Sequence, residues 1–273
     1  MTSRHRLRGS GARKKVTGLS TKAEKGIQAQ AVQAVQNSTE IMAARIAEER
    51  HAVFKKNLGR VKKGQSAKVL IDLVSESYEI FDRMLGDLVL DPPLACKRGC
   101  IYCCINQVSL TEPEALFIGF HLLETRTSEQ RVVLQQMART LLENLQGKSR
   151  QEIGMNRHMY PCLFMEDGTC SIYAARPLSC RGWNSVDADM CRHSNQSGDA
   201  LAPIENHPLP RVMAESIQLG LLNGSSEMQL ETGYLLLPRA AYLLLQEKDE
   251  KGMIELADNW LNGQPFFAKK IDL

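Results

Sequence analysis

Aromatic residues are scarce, 5% of 273, and there are only 6 histidines. The chain is instead rich in Leu, Ala, Met, Gln and Glu, unbranched side chains that lose little rotamer freedom in a helix, so helix should dominate. No run reaches the roughly 18 to 20 apolar residues that a membrane span needs. The nearest approach, Tyr234 to Leu245, is interrupted by Pro238 and Arg239. No apolar stretch follows the basic N-terminus, which excludes a secretory signal, and the expected location is the cytoplasm. A glycine-rich strand-to-helix turn of the kind that cradles nucleotides is missing. No Ser/His/Asp or Cys/His nucleophile arrangement can be assembled from spacing.

Acidic charge is nearly absent from the start of the chain. Residues 1–25 hold eight bases against the single acid Glu24, a net +7 that leaves −4 for the remainder of a chain whose total is +3. The basic character therefore belongs to a solvated tail rather than to a folded surface. Nucleic acid is not an expected partner except weakly through that tail.

The 43% of hydrophobic residues is enough to bury a core. Residues 26–64 form an expected helical arm whose apolar stripe (Ile27, Val32, Val35, Ile41, Ile46, Val53) is thin, a surface that could dock on a protein partner. The arm should break around Gly59 and Lys62-Lys63-Gly64. Residues 66–90 carry a broad stripe, Leu70, Leu73, Val74, Tyr78, Phe81, Leu85 and Leu88, marking a core helix stopped by Pro92 and Pro93. Thr111, Pro113 and Glu114 read as the capped start of a helix reaching about Glu124. Another spans Ser128 to Leu145, with Val132, Leu134, Met137, Leu141, Leu142 and Leu145 as its buried face, and further helices are expected near 209–222, 228–247 and 250–261.

Cysteine is concentrated: all eight (Cys96, Cys100, Cys103, Cys104, Cys162, Cys170, Cys180 and Cys191) lie in about a third of the chain. In a reducing compartment clustered thiols bind metal rather than pair as disulfides. Four thiols fall within nine residues, Cys96-Lys-Arg-Gly-Cys100-Ile-Tyr-Cys103-Cys104, with Gly99 letting the backbone turn so that sulfurs converge. The second group runs Cys162 to Cys180 through the Glu166-Asp167-Gly168 turn and Tyr173-Ala-Ala-Arg176-Pro177. It shows little periodicity, so metal rather than hydrophobic packing is expected to order it. A tetrahedral zinc takes four ligands, so eight thiols exceed one mononuclear site. Adjacent residues diverge on a helix, so Cys103 and Cys104 should serve different ions, or one should face the core. Lys97, Arg98, Arg176, Arg181 and Arg192 can offset thiolate charge.

These motifs resemble the YkgJ-like cysteine-cluster family, also called CxxCxxCC, a zinc- or iron-chelating domain. Cys96, Gly99, Cys100, Cys103 and Cys104 match its first motif. Cys162, Leu163, Cys170, Ile172, Tyr173, Arg176, Pro177, Cys180 and Arg181 match its second. Two departures stand out: the first gap is C-x3-C where the commoner form is C-x2-C, and Cys191, with His193 nearby, lies outside the pattern. One branch of the family resembles the flagellin lysine N-methylases, so the resemblance implies S-adenosylmethionine-dependent protein-lysine methyl transfer as an alternative activity. Cys96-x3-Cys100-x2-Cys103 also has the radical S-adenosylmethionine spacing, but a helix precedes it where that family has a barrel strand.

The sequence therefore predicts a mainly α protein. Its parts are a basic tail (1–25), a helical arm (26–64), a cysteine-cluster domain (65–262, motifs 96–104 and 162–191) and a C-terminal tail (263–273). All eight cysteines are candidate ligands of an iron–sulfur cluster or zinc in a structural or redox role. Iron–sulfur is the preferred centre, because zinc sites often include His and these motifs have almost none. A partner-binding helical scaffold is the non-catalytic alternative.

Overall fold

A computed structural model describes residues 22–59, 61 and 65–271. The basic tail lies outside the described residues as far as position 21, as do Lys62-Lys63-Gly64 and the last two positions of the C-terminal tail.

Among the described residues the fold is mainly α, with two short two-stranded ladders. Helix α1 (Lys22–Leu58) is followed by α2 (Ser66–Gly86), strand β1 (Ser109–Leu110), α3 (Glu112–Thr125), α4 (Ser128–Leu145) and α5 (Arg150–Met155). Strands β2 (Met165–Glu166) and β3 (Thr169–Cys170) precede α6 (Leu178–Gly182) and α7 (Ala188–Ser197). Then come α8 (Pro208–Glu227), strand β4 (Leu235–Leu236), α9 (Leu237–Leu244) and α10 (Glu250–Leu261). No helix is long and apolar enough to cross a membrane among these residues. The chain divides into two units within α1, between Ile41 and Met42. In the first, Val32, Val35 and Ile41 are exposed.

In the second unit, Phe54 and Leu58 of α1 join one continuous core with Leu70, Val74 and Phe81 of α2, Leu116 and Ile118 of α3, Ile217 and Leu221 of α8, and Trp260 of α10. Burial of such side chains contributes roughly 1.5–3 kcal/mol each. Short α6 packs on α8 at Gly182, where a Cβ would stand 2.7 Å from the Cβ of Ala214 and 3.0 Å from the Pro210 carbonyl oxygen. No larger residue fits there without a shift.

Three expectations need correction. Helix α2 stops at Gly86, well before Pro92: the amides of Asp87 and Leu88 turn back to the carbonyls of Arg83 and Leu85, and Val89 is 99% exposed. In α4, Val132 and Met137 are exposed, because the packed face is centred on Ala138 with Leu134, Leu141, Leu142 and Leu145. Residues 228–247 are not one helix. Gln229 has positive φ, β4 pairs antiparallel with β1, and α9 begins beside Pro238, whose missing N–H suits a first turn.

Candidate metal centre

The first cysteine motif is built from two consecutive tight turns, the Cys100 amide donating to the Lys97 carbonyl (3.0 Å) and the Cys104 amide to the Ile101 carbonyl (2.9 Å). Gly99 sits at φ +90°, a backbone conformation that L side chains rarely adopt, which is the role the sequence assigned to it. The turns fold Cys96, Cys100, Cys103 and Cys104 back on one another.

The second motif is joined to the first at its start, where the Cys162 amide donates to the Cys104 carbonyl at 2.7 Å. Asp167 (φ 47°) and Gly168 (φ 71°) make the two-residue loop of the β2–β3 hairpin, the positive-φ pair that a tight hairpin demands. This sets Cys170 opposite Met165. The chain then passes through a 3₁₀ turn, Tyr173–Ala175, and Pro177 caps α6, which carries Cys180.

This segment is not short of packing, contrary to the expectation from its lack of periodicity. Phe164, Ile172, Ala175 and Leu178 are each at most 1% exposed and Leu163 is 3% exposed, all within the main core. They are single anchors spaced by turns, a pattern without a period.

Glu114, read from sequence only as a capping residue, holds α6 in place. Its fully buried carboxylate accepts from the amides of Thr111 (2.9 Å) and Leu178 (2.8 Å), from Gln218 Nε2 (2.8 Å) and from the hydroxyls of Thr111 and Tyr78 (3.0 and 3.4 Å). Burial raises its pKa, opposed by these donors. Tyr78 OH is pushed well up by the same burial and by the Glu114 charge. Neither residue's link to α6 had a local sequence signal, because their partners lie 64 and more positions away.

Cys191 reaches the first motif through α7. Asp187 caps that helix, the Ser185 amide just before it donates to Cys96 Sγ at 3.3 Å, and the Ser185 hydroxyl donates to the Asp187 carbonyl at 2.9 Å. Asn195 Nδ2 also donates to the Tyr102 carbonyl at 3.1 Å. His193 is exposed.

All eight cysteines are free thiols. Together they form one connected group centred on Cys103. The Cys103 thiol is raised well above its ordinary pKa, first by its hydrogen bond with the Cys104 thiol and then by burial. Burial pushes Cys162 up to about 11 and raises Cys96, Cys170, Cys180 and Cys191, with neighbouring thiols adding to each. Cys103 is among the neighbours of all five. Among the described residues no three His, Cys, Asp or Glu side chains are already arranged to hold an ion. The thiols are neighbours without being closed into a coordination shell.

Only some of the flanking bases attend this group. Arg176 lies close enough to draw down the Cys103, Cys170 and Cys180 thiols. Its guanidinium covers the Tyr173 ring (4.2 Å to the centroid), and that of Arg98 approaches the same ring at 5.5 Å. The stack ties the two motifs together through cation–π contacts. Arg176 Nε is buried without an acceptor, a donor that anionic sulfur would satisfy. Arg181 is committed elsewhere, to Asp82 (2.6 Å), the carbonyls of Ala174 and Arg176, and the face of Tyr78. Arg192 pairs with Asp189.

A helical scaffold that carries eight free thiols, with the buried Nε of Arg176 near three of them, has the residue chemistry of a thiolate metal-chelating protein. Residues 95–198 match the model of the CxxCxxCC family, described as a "Putative zinc- or iron-chelating domain". The match takes in all eight cysteines. Comparison with curated proteins and with solved structures gives no match.

Proposed function

We propose that this is a cytoplasmic metal-binding protein whose cysteines hold a polynuclear iron–sulfur or zinc centre in a structural or redox role. The observation that carries the reading is the gathering of six free thiols near Cys103, with the unpaired buried Nε of Arg176 beside Cys103, Cys170 and Cys180. Isolated structural thiols need neither neighbours nor a cation. Bound metal would cross-link the two motifs and, as iron–sulfur, would add one-electron chemistry.

The residues around the sulfurs have definable parts in this. Arg176 offsets thiolate charge, and the Ser185 amide donates to Cys96 Sγ, the kind of hydrogen bond that tunes a thiolate centre. Glu114 and Arg181 hold α6 and the 174–176 turn so that Cys180 faces the other thiols. S-adenosylmethionine-dependent methyl transfer has no comparable contact in its support. Anaerobic purification followed by metal and sulfide analysis tests the reading. Brown protein with stoichiometric iron and sulfide supports iron–sulfur, colourless protein with stoichiometric zinc supports zinc, and protein that retains neither and takes up neither overturns the proposal.

A further inference from the structure

Two stretches of the chain stand apart from the hydrophobic core. Between Leu88 and Ile105, and again between Gly182 and Leu209, no apolar side chain is buried; the buried residues there are Asn184, Ser185 and Ser194, all polar. The two stretches are instead fastened to each other by hydrogen bonds. The Ala95 amide donates to the Ser185 carbonyl (2.9 Å) and the Ser185 amide to Cys96 Sγ (3.3 Å). His207 Nε2 donates to the Pro92 carbonyl (2.7 Å) and Asn195 Nδ2 to the Tyr102 carbonyl (3.1 Å). Asn184 closes the second stretch on itself, donating to the His207 carbonyl and accepting from the His207 amide, both at 2.9 Å. Arg157, in the 3₁₀ turn before the second cysteine motif, holds both stretches at once. Its Nη1 donates to Asn106 Oδ1 (3.2 Å), just past the first stretch, and its Nη2 to Ser194 Oγ and to the Asp199 carbonyl (3.3 Å) in the second. A planar guanidinium can divide its donors in this way where a Lys ammonium could not.

We propose that residues 89–104 and 183–207 form one flap that opens as a unit while the core stays folded, with Arg157 as its latch. Hydrogen bonds near the surface are exchanged for bonds to water on opening, so their net contribution is modest. A segment held by them, with no buried apolar side chain, lies at the low end of local stability. The cross-bonds make the two stretches leave together, because freeing either one alone would break the ties at Pro92, Ala95, Cys96 and Tyr102 as well as the latch. Opening also releases the Cys162 amide from the Cys104 carbonyl, so it uncovers the start of the second motif. The motion is a property of the polypeptide and does not rest on the metal-binding reading above.

Hydrogen exchange of the full chain, read by mass spectrometry on peptides from both stretches and from α3 and α8, tests the flap. Hydrogen-bonded amides of the two stretches, such as Ala95 and Val186, should exchange through one shared opening, far faster than the amides of α3 and α8. Arg157→Ala should speed exchange in both stretches by the same factor, roughly tenfold or more for the hydrogen bonds it removes, and leave α3 and α8 unchanged. Asn106→Ala and Ser194→Ala give the sharper comparison, because each removes an Arg157 acceptor on one side only. In a single flap, each of them speeds both stretches alike. Acceleration confined to the first stretch in Asn106→Ala and to the second in Ser194→Ala would overturn the proposal. So would exchange of both stretches at the rate of α3 and α8, or an unchanged rate in Arg157→Ala.

Discussion

The amide of Leu178 donates to Glu114 Oε1 at 2.8 Å, so a carboxylate in the first turn of α3 anchors the first turn of α6, the helix that carries Cys180. The same carboxylate holds Gln218 of α8 and Tyr78 of α2, so four helices meet on one buried charge. Glu114→Ala would strand several donors in the core, each costing about 1–3 kcal/mol. The expected loss is about 3–5 kcal/mol in urea unfolding, together with weaker metal retention through the displaced Cys180. Glu114→Gln, which keeps one acceptor and the volume, should cost less than half as much. Equal losses for the two variants would assign the effect to packing rather than to the carboxylate.

Arg181 performs a related task from the other side, bonding Asp82 of α2 and the carbonyls of Ala174 and Arg176. Lys can keep the charge but not the fork, nor the stacking on Tyr78. Arg181→Lys should therefore cost about 2 kcal/mol and reduce bound metal, although Arg181 itself does not face the thiols. Arg192→Lys, which touches only the exposed Asp189 pair, should change stability by no more than about 0.5 kcal/mol. A larger effect at Arg192 than at Arg181 would reverse this assignment.

The sequence was most informative where a local rule has a local cause. Helix α4 runs from Ser128 to Leu145 as its spacing predicts, and α3 starts at its Thr111/Pro113/Glu114 signature. Gly99 and Asp167-Gly168 take the positive φ values their turns need. The family motifs include seven of the eight thiols, and the eighth, Cys191, lies on α7, which meets the first motif where Asn195 donates to the Tyr102 carbonyl. Distant pairings were not legible. Nothing local in Glu114 names Leu178, and nothing in Tyr234-Leu-Leu-Leu distinguishes a strand paired with Ser109–Leu110 from the helix its composition suggests. Isolated core anchors such as Phe164 and Leu178 have no period for a pattern to detect.

Glu112 gives a pH dependence whose sign is fixed. It is 1% exposed, Oε2 has no partner, and burial raises its pKa from 4.5 to about 7. Between those two values the folded protein holds a proton that the unfolded chain releases, so stability falls as pH rises through the window, and the loss is complete above it. At about 1.4 kcal/mol per pKa unit the cost at pH 8 is at most about 3.5 kcal/mol. Glu112→Gln should be more stable than the native chain by up to that amount at pH 8 and no different at pH 4. Thermal unfolding across pH 4–8 checks it, and a constant difference between the two proteins would remove Glu112 as the cause.

Metal removal is the last test, and the burial of the second motif decides its outcome. Metal binding supplies folding free energy where a segment has nothing else to order it. Here Leu163, Phe164, Ile172 and Leu178 are already in the main core, and Glu114 and Arg181 fix the turns between them. The first motif has less: Cys96 is exposed, Cys100 is held by a turn hydrogen bond, and Cys104 by a turn hydrogen bond and the Cys162 amide. Chelation should leave the far-ultraviolet helical signal within about a tenth of its value. Hydrogen-exchange protection should be lost mainly over residues 95–107 and in α7, which depends on Ser185 and Asn195 for its hold on that loop. Because the thiols of Cys96 and Cys191 are raised in the folded, metal-free protein, metal must displace their protons, so rebinding should strengthen as pH rises from 6 to 8. Loss of protection spread evenly through residues 160–182 in verified metal-free protein would show instead that metal, and not the buried anchors, orders the second motif.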